Sequence, residues 1–240
     1  MTTTATPDIR FDVPLYTLAE AARSLGVPPT TFANWSKGYV RRFPSRKPVT
    51  GDPIVTVLAR PARQPSVPFI GLAEGMILAA IRQAGVPLQR IRPALTVLAT
   101  EIGFDHALAS QALYTDGAEL LFDYAQHQQG DEAAAARELV VVRSGQHVFA
   151  SVIEDYLQRI SYGPDGYARL VRLPAYPRAE VVADPERSFG QLIFAHGGAK
   201  VSDVLDRFWA GDAIDELSTE FGIPEAEIED VLRAASRRAA

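Results

Sequence analysis

Apolar positions recur at helical spacing at both ends of the chain and at strand spacing between them. Thr17-Leu18-Ala19-Glu20 is a capping box: the Thr17 hydroxyl can take an amide of the first turn and Glu20 can reach back to the cap amide. A helix is predicted from Leu18. Leu18, Ala21, Ala22 and Leu25 form its apolar stripe, and Gly26 supplies the permissive backbone that ends it. Pro28 and Pro29 cannot continue that helix but suit the first position of a new one, in which Phe32 and Trp35 lie one turn apart on the buried side. The exposed side of this second helix would carry Thr30, Thr31, Asn34 and Lys37. Further on, Pro53 to Arg60, with Ile54, Val55, Val57 and Leu58, reads as a strand.

The pattern changes over residues 105–183. Leu139 to Arg143 and Tyr167 to Leu173 are strand-like runs on either side of an amphipathic helix from about Val148 to Ile160. Asp116-Gly117 lies between apolar runs and predicts a hairpin turn. Gln126 to Ala136 is polar and Ala-rich, with Gln128 to Glu132 as a loop. Three short helices follow from Ser202: Asp203 to Ala210, ended by Gly211; Ala213 to Phe221, ended by Gly222; and Pro224 to about Arg237. Ser202 and Asp212 are the expected N-caps. The whole is an α+β chain, mainly helical, with a mixed α/β middle.

Tail and head share a spacing. Aligning Gly222-Ile223-Pro224 with Gly26-Val27-Pro28 places Ile228 on Phe32 and Val231 on Trp35, whereas Thr31, Ala33 and Asn34 become Glu227, Glu229 and Asp230. These exposed acids are repelled by phosphates, so this module suits a protein partner or simple packing. Glu225 and Glu227, in the first turn, also favour the dipole at the helix N-terminus.

Charge divides the same way. Residues 1–63 hold nine basic side chains and four acidic ones, a net +5 that leaves −10 for the remainder of a chain whose total is −5. From Lys37 to Arg63 there are seven basic groups and one acid. Arg41, Arg42, Arg46 and Lys47 directly follow the second helix, interleaved with Tyr39 and Phe43. A helix with short polar groups and a cation, followed by a basic wing, fits double-stranded DNA: the helix enters the major groove and the wing cations hold flanking phosphates. Asn34 suits adenine. A solvated basic loop is the alternative at this point.

Other chemistry is thinly represented. The chain has no cysteine, which excludes disulfide scaffolds, Cys-based zinc sites, iron–sulfur clusters and thiol nucleophiles. His106, His127, His147 and His196 are scattered, with no second His one turn away to complete a metal pair. No phosphate-binding glycine loop or nucleophile elbow is present, so neither catalytic residues nor cofactors are assigned. Uncharged runs fall well short of the about twenty apolar residues of a membrane span, and no secretory signal is visible, so a cytoplasmic protein is expected.

Tyr16 to Ala22, Gly26-Val27, Trp35, a wing, and Ala84 to Arg92 together resemble a MerR-type winged helix-turn-helix over residues 14–104. The resemblance implies a second helical pair, Gly71 to Gln83 and Pro87 to Ile102, packed on the first, with Pro93 kinking its second member. The tail, through Phe194, Gly197-Gly198, Val201 to Phe208, Ala210-Gly211-Asp212, Ile214 to Leu217, Phe221, Ile223-Pro224-Glu225 and Ile228 to Leu232, resembles a small antitoxin-type helical domain found beside PIN-domain ribonuclease toxins. Together the two ends are similar to VapB-type antitoxins of VapBC toxin–antitoxin systems.

That similarity implies a DNA-binding unit over residues 1–104, a connector over 105–183 and a toxin-binding unit over 184–240. It implies a VapC-type PIN-domain toxin and operator DNA as partners, and a homodimer on paired half-sites. Phe208 and Trp209 are the candidate toxin contacts, one of them facing the core. Arg233, Arg237 and Arg238 are candidate cations for an acidic nuclease site. The alternative is a one-component MerR-like regulator with a small-molecule site in residues 105–183.

Overall fold

The computed structural model describes residues 7–44, 46–87, 92, 95, 96, 98, 105–143 and 145–236. Helix α1 (Leu18–Ser24) starts at the predicted capping box: Thr17 Oγ1 accepts from the Glu20 amide at 3.2 Å and Glu20 Oε2 accepts from the Thr17 amide at 2.8 Å. Gly26, at φ +68°, turns the chain into α2 (Pro29–Lys37). Ala21, Ala22, Leu25, Phe32 and Trp35 are all buried, as their spacing requires.

Both helices rest on α3 (Phe69–Gln83), thirteen of whose fifteen residues are buried. A helix apolar on every side belongs at the centre of a fold, and small residues let its neighbours approach. A Cβ on Gly75 would lie 2.6 Å from the Phe32 ring and 2.9 Å from Leu25, and one on Gly71 would lie 2.3 Å from the Thr56 carbonyl oxygen. The one charged group in the buried part of α3 is satisfied: the Glu74 carboxylate accepts from the Thr56 amide at 2.6 Å and the Thr56 hydroxyl at 3.0 Å, and meets His106 Nδ1 at 3.0 Å. Of the second helix of this pair, only isolated residues such as Arg92, Leu95 and Leu98 are described, and the kink expected at Pro93 lies outside the described residues.

The strand predicted over Pro53 to Arg60 is not one. β1 (Tyr39–Phe43) instead pairs antiparallel with β2 (Arg46–Gly51), which follows it almost at once, in a register of Tyr39 with Gly51 and Arg41 with Val49. Residues 53–60 form no strand, with a bend at Val55, and their amides go to separate partners: Ile54 and Val55 to the Trp35 carbonyl, Thr56 to Glu74, Leu58 to Ser66. Backbone groups spent this way leave no ladder to form.

In the middle, a one-turn 3₁₀ helix (Ala107–Ala109) leads into α4 (Gln111–Thr115), α5 (Gly117–His127) and α6 (Asp131–Leu139). The expected hairpin at Asp116-Gly117 is therefore a junction between helices. Ala118, Leu121 and Ala125 are buried at a helical period that overrides the turn dipeptide, and a Cβ on Gly117 would crowd Leu113 and Phe149. The loop expected over Gln128 to Glu132 narrows to residues 128–130, because the alanine-rich stretch continues as α6.

β3 (Val140–Arg143) pairs with β4 (Gln146–Phe149), so the predicted helix from Val148 is shortened to α7 (Ser151–Leu157), which packs on α3. A four-stranded antiparallel sheet follows, in the order β5 (Ile160–Tyr162), β6 (Ala168–Arg172), β7 (Val181–Ala183), β8 (Ile193–Phe194). Arg10 pairs with Asp165 at 2.6 Å and with Asp8 at 2.8 Å, tying the beginning of the chain to this sheet and holding both carboxyls below their ordinary range.

The tail forms α8 (Val201–Ala210), α9 (Ile214–Phe221) and α10 (Glu225–Ser236), with Gly211 and Gly222 left-handed at the two turns as predicted. The caps differ. α8 begins after Lys200, without a side-chain cap, and Ser202 donates to Asp203 instead; α9 begins after Ala213, whose amide donates to Glu216. Asp212 is drawn away by Arg207, which also forks onto Glu220 at 2.9 Å through both terminal nitrogens.

The larger correction concerns Glu227 and Asp230, expected on an exposed acidic face but 8% and 6% exposed. Asp230 accepts from the Arg178 and Ala179 amides at 2.8 and 2.9 Å, and Glu227 accepts from the Glu180 amide and meets His196 Nδ1 at 2.7 Å. These acids moor α10 to the segment before β7. Ile223, Ile228 and Val231 are buried as aligned.

Candidate nucleic-acid interface

Phe32 and Trp35, with ring centroids 6.1 Å apart, anchor the inner face of α2 and thereby set what its outer face presents. Thr30 and Lys37 are exposed; Thr31 and Asn34 are half-buried. The Thr31 hydroxyl accepts from Arg82 Nη1 at 3.0 Å, which brings a cation from the end of α3 to this face. Fifty-one residues separate the two, and no local pattern reports such a contact.

Gly38, at φ +71°, passes the chain from α2 into the hairpin, and a Cβ there would lie 2.6 Å from the Gly51 carbonyl oxygen. Tyr39 packs its ring over Gly51, where a Cβ would come within 2.5 Å of it. The guanidinium groups of Arg41 and Arg92 lie 5.5 and 5.8 Å from the Tyr39 ring centroid, and Arg92 also donates to the Asp52 carbonyl. The base of the hairpin is thus held by cation–π contacts and a hydrogen bond.

Beyond that base the hairpin is open to solvent. Arg41, Arg42 and Lys47 are exposed, as are Val40 and Val49 on the same strands. For Arg46 only the backbone is described. Among the described residues, Lys37, Arg41, Arg42 and Lys47 form no ion pair, so their charge is available to an external anion. The arrangement can do one thing chemically: present uncompensated cations beside a helix with small polar side chains. The four histidines do not assemble, and no His, Asp and Glu group with the makings of a metal site occurs among the described residues.

The proposed toxin face is split between core and solvent. Phe208 packs against the core and Trp209 is 62% exposed. Arg233 is exposed but paired with Glu229 at 2.5 Å, one turn away on α10. Arg237 and Arg238 lie outside the described residues. Among those described, no helix is long and apolar enough to cross a membrane.

Residues 14–95 match the family described as "Putative DNA-binding HTH domain". Over 230 residues the chain is 46% identical to a protein of Mycobacterium tuberculosis (strain ATCC 25618 / H37Rv) named "Putative antitoxin VapB45", covering 95% of this chain and 96% of the relative. The chain belongs to the VapB-type antitoxins. A solved structure of the same fold, the X-ray crystal structure of Rv2018 from Mycobacterium tuberculosis, is 43% identical with a TM-score of 0.81, covering 93% of this chain and 99% of that one. In this VapB-type chain the helix-turn-helix match spans α1, α2, the hairpin and α3, the elements that carry the uncompensated cations.

Several contacts that hold the fold left no trace in the sequence pattern. Glu74, Thr56 and His106 meet across separations of 18 and 32 residues or more, and Glu227 and Asp230 cap amides about fifty residues earlier. The one available signal was charge at positions predicted to be helical and amphipathic, which is normally read as solvent-facing.

Proposed function

We propose that this protein is the antitoxin of a type II toxin–antitoxin pair, that it neutralises a VapC-type PIN-domain ribonuclease by direct binding, and that it represses its own operon as a homodimer on paired half-sites. The observation that carries the reading is the division of the surface: free cations on the hairpin beside α2, and an exposed Trp209 on a tail rich in acidic groups. The likeness to the Mycobacterium tuberculosis protein named as an antitoxin supports the antitoxin half. Thr30, Thr31, Asn34 and Lys37 contact base edges or phosphates from α2; Arg41, Arg42, Arg46 and Lys47 contact phosphates. Trp209 is the toxin anchor, with Phe208 shaping its surroundings, and Arg237 and Arg238 supply the cations for an acidic nuclease site.

The test is co-purification of the full chain with the small nuclease encoded beside it, followed by a ribonuclease assay. Trp209→Ala is expected to weaken the complex by roughly 30-fold, a loss typical of a buried aromatic anchor. Arg237→Ala with Arg238→Ala is expected to release ribonuclease activity while DNA binding persists. A chain that neither binds nor inhibits the nuclease overturns the reading.

A second reading, a regulator with a small-molecule site in the middle, has one observation in its favour. A hollow of about 460 Å³ is lined by Tyr114, Glu119, Gln146, His147, Glu154 and Leu157. A transporter or catabolic operon in place of a nuclease gene alongside, together with an effector that alters DNA affinity, would favour it.

A further inference from the structure

The stretch between β2 and α3 closes on itself. The Leu58 amide donates to the Ser66 carbonyl at 2.8 Å, the Gln64 amide to the Pro61 carbonyl at 3.3 Å, and the Ser66 and Val67 amides both to the Tyr16 carbonyl at 2.9 Å. Residues 59–65 therefore project as a compact loop whose base is fastened to the residue just before the α1 cap, and all seven are exposed. Arg63 sits in this loop at φ +68°, a conformation uncommon for any residue but glycine. Pro61 and Pro65 stiffen the backbone on either side of it.

Between the loop and the first turn of α1 lies a hollow of about 590 Å³. Its lining carries Lys37, Arg60 and Arg63 and not one carboxylate. Neither arginine forms an ion pair among the described residues, although the chain has 29 acidic side chains to offer. Three cations around one concavity without a counter-charge repel one another, and a polyanion relieves that repulsion. Lys37 belongs at once to the outer face of α2 and to this hollow, and it is followed directly by Gly38, where the basic hairpin starts.

We propose that Arg60 and Arg63, together with Lys37, form a second phosphate clamp that grips the backbone of the bound duplex beside α2, in addition to the cations of the hairpin. The proposal rests on the DNA-binding reading above. A loop fixed by its own hydrogen bonds presents its guanidinium groups with little ordering left to do on binding, which is what a positioning contact requires. The hairpin and the closed loop then bracket the end of α2 with charge, and the helix between them is held in register.

The experiment is fluorescence anisotropy with the full chain and a labelled 40-base-pair duplex taken from immediately upstream of its gene, titrated between 50 and 200 mM salt. Each phosphate contact contributes about 0.9 to the slope of log affinity against log salt. Arg60→Gln with Arg63→Asn removes both charges while leaving an asparagine, which tolerates the left-handed backbone, at position 63. The slope is expected to fall by about 1.8, with affinity at 0.1 M salt reduced on the order of 50-fold. Arg60→Gln alone should lower it by about 0.9, and Arg60→Lys with Arg63→Lys should restore most of it.

An unchanged slope in the neutral variants, beside a reduced slope in Arg41→Gln with Arg42→Gln, overturns the clamp and leaves DNA binding intact. A wild-type affinity indifferent to salt overturns the DNA-binding reading, and the clamp with it.

Discussion

Asp230 shows how little a residue's type says about its place. Its carboxylate is 6% exposed and accepts two backbone amides, those of Arg178 and Ala179, from a segment about fifty residues earlier in the chain. Replacing it with alanine strips both amides of their acceptor without giving them water. Asp230→Ala is therefore expected to cost about 2 kcal/mol in urea unfolding, and Asp230→Asn, which keeps one carbonyl acceptor, clearly less. Equal stability of all three proteins would mean that the amides find other partners. The sequence pattern placed Asp230 and Glu227 on an exposed face because acids three residues apart on a helix are usually solvated. What it could not register is that the facing surface is bare backbone, whose free amides make a buried carboxylate favourable. At Thr17 and Glu20 the opposite holds: donor and acceptor sit three residues apart, so their pairing is legible from spacing alone.

At the scale of elements, legibility follows the same division between local and distant causes. α1 and α2 were readable because a capping box, a glycine turn and two prolines act within a few residues. The strand expected over Pro53 to Arg60 does not form, since the stretch has the right side chains for a strand while its amides are claimed by Trp35, Glu74 and Ser66; the hairpin lies just before it, at residues 39–51. The Asp116-Gly117 dipeptide carried a turn signal that the burial of Ala118, Leu121 and Ala125 on α5 overrode. The candidate site itself was legible as charge, but not Arg82 on Thr31 nor the seating of Tyr39 against Gly51 and Arg92, all set by packing.

That packing can be tested at α3, where the absence of a side chain on Gly75 lets α1 and α2 settle onto the central helix. Gly75→Ala places a methyl 2.6 Å from the Phe32 ring and 2.9 Å from Leu25. Overpacking of this kind is expected to destabilise by about 1–3 kcal/mol, despite alanine's better helix propensity. A calorimetric melt of the variant checks the sign; a rise in melting temperature would show that α2 can retreat without loss.

Across the whole molecule, charge and fold divide the labour. The cations of residues 37–63 stand on or beside elements matched to a DNA-binding helix-turn-helix. The acids of the tail divide in two: Glu227 and Asp230 fasten α10 to the middle of the molecule, and others, among them Asp203, Asp206, Asp215, Glu216 and Glu225, are exposed on the same helical tail as Trp209. A phosphate backbone is attracted to the first region and repelled by the second. Hydrogen–deuterium exchange of the full chain with and without a duplex from upstream of its gene reads that division directly. Protection on adding DNA is expected over residues 29–51 and the loop of residues 58–66, with residues 201–236 unchanged; protection confined to residues 201–236 would contradict it.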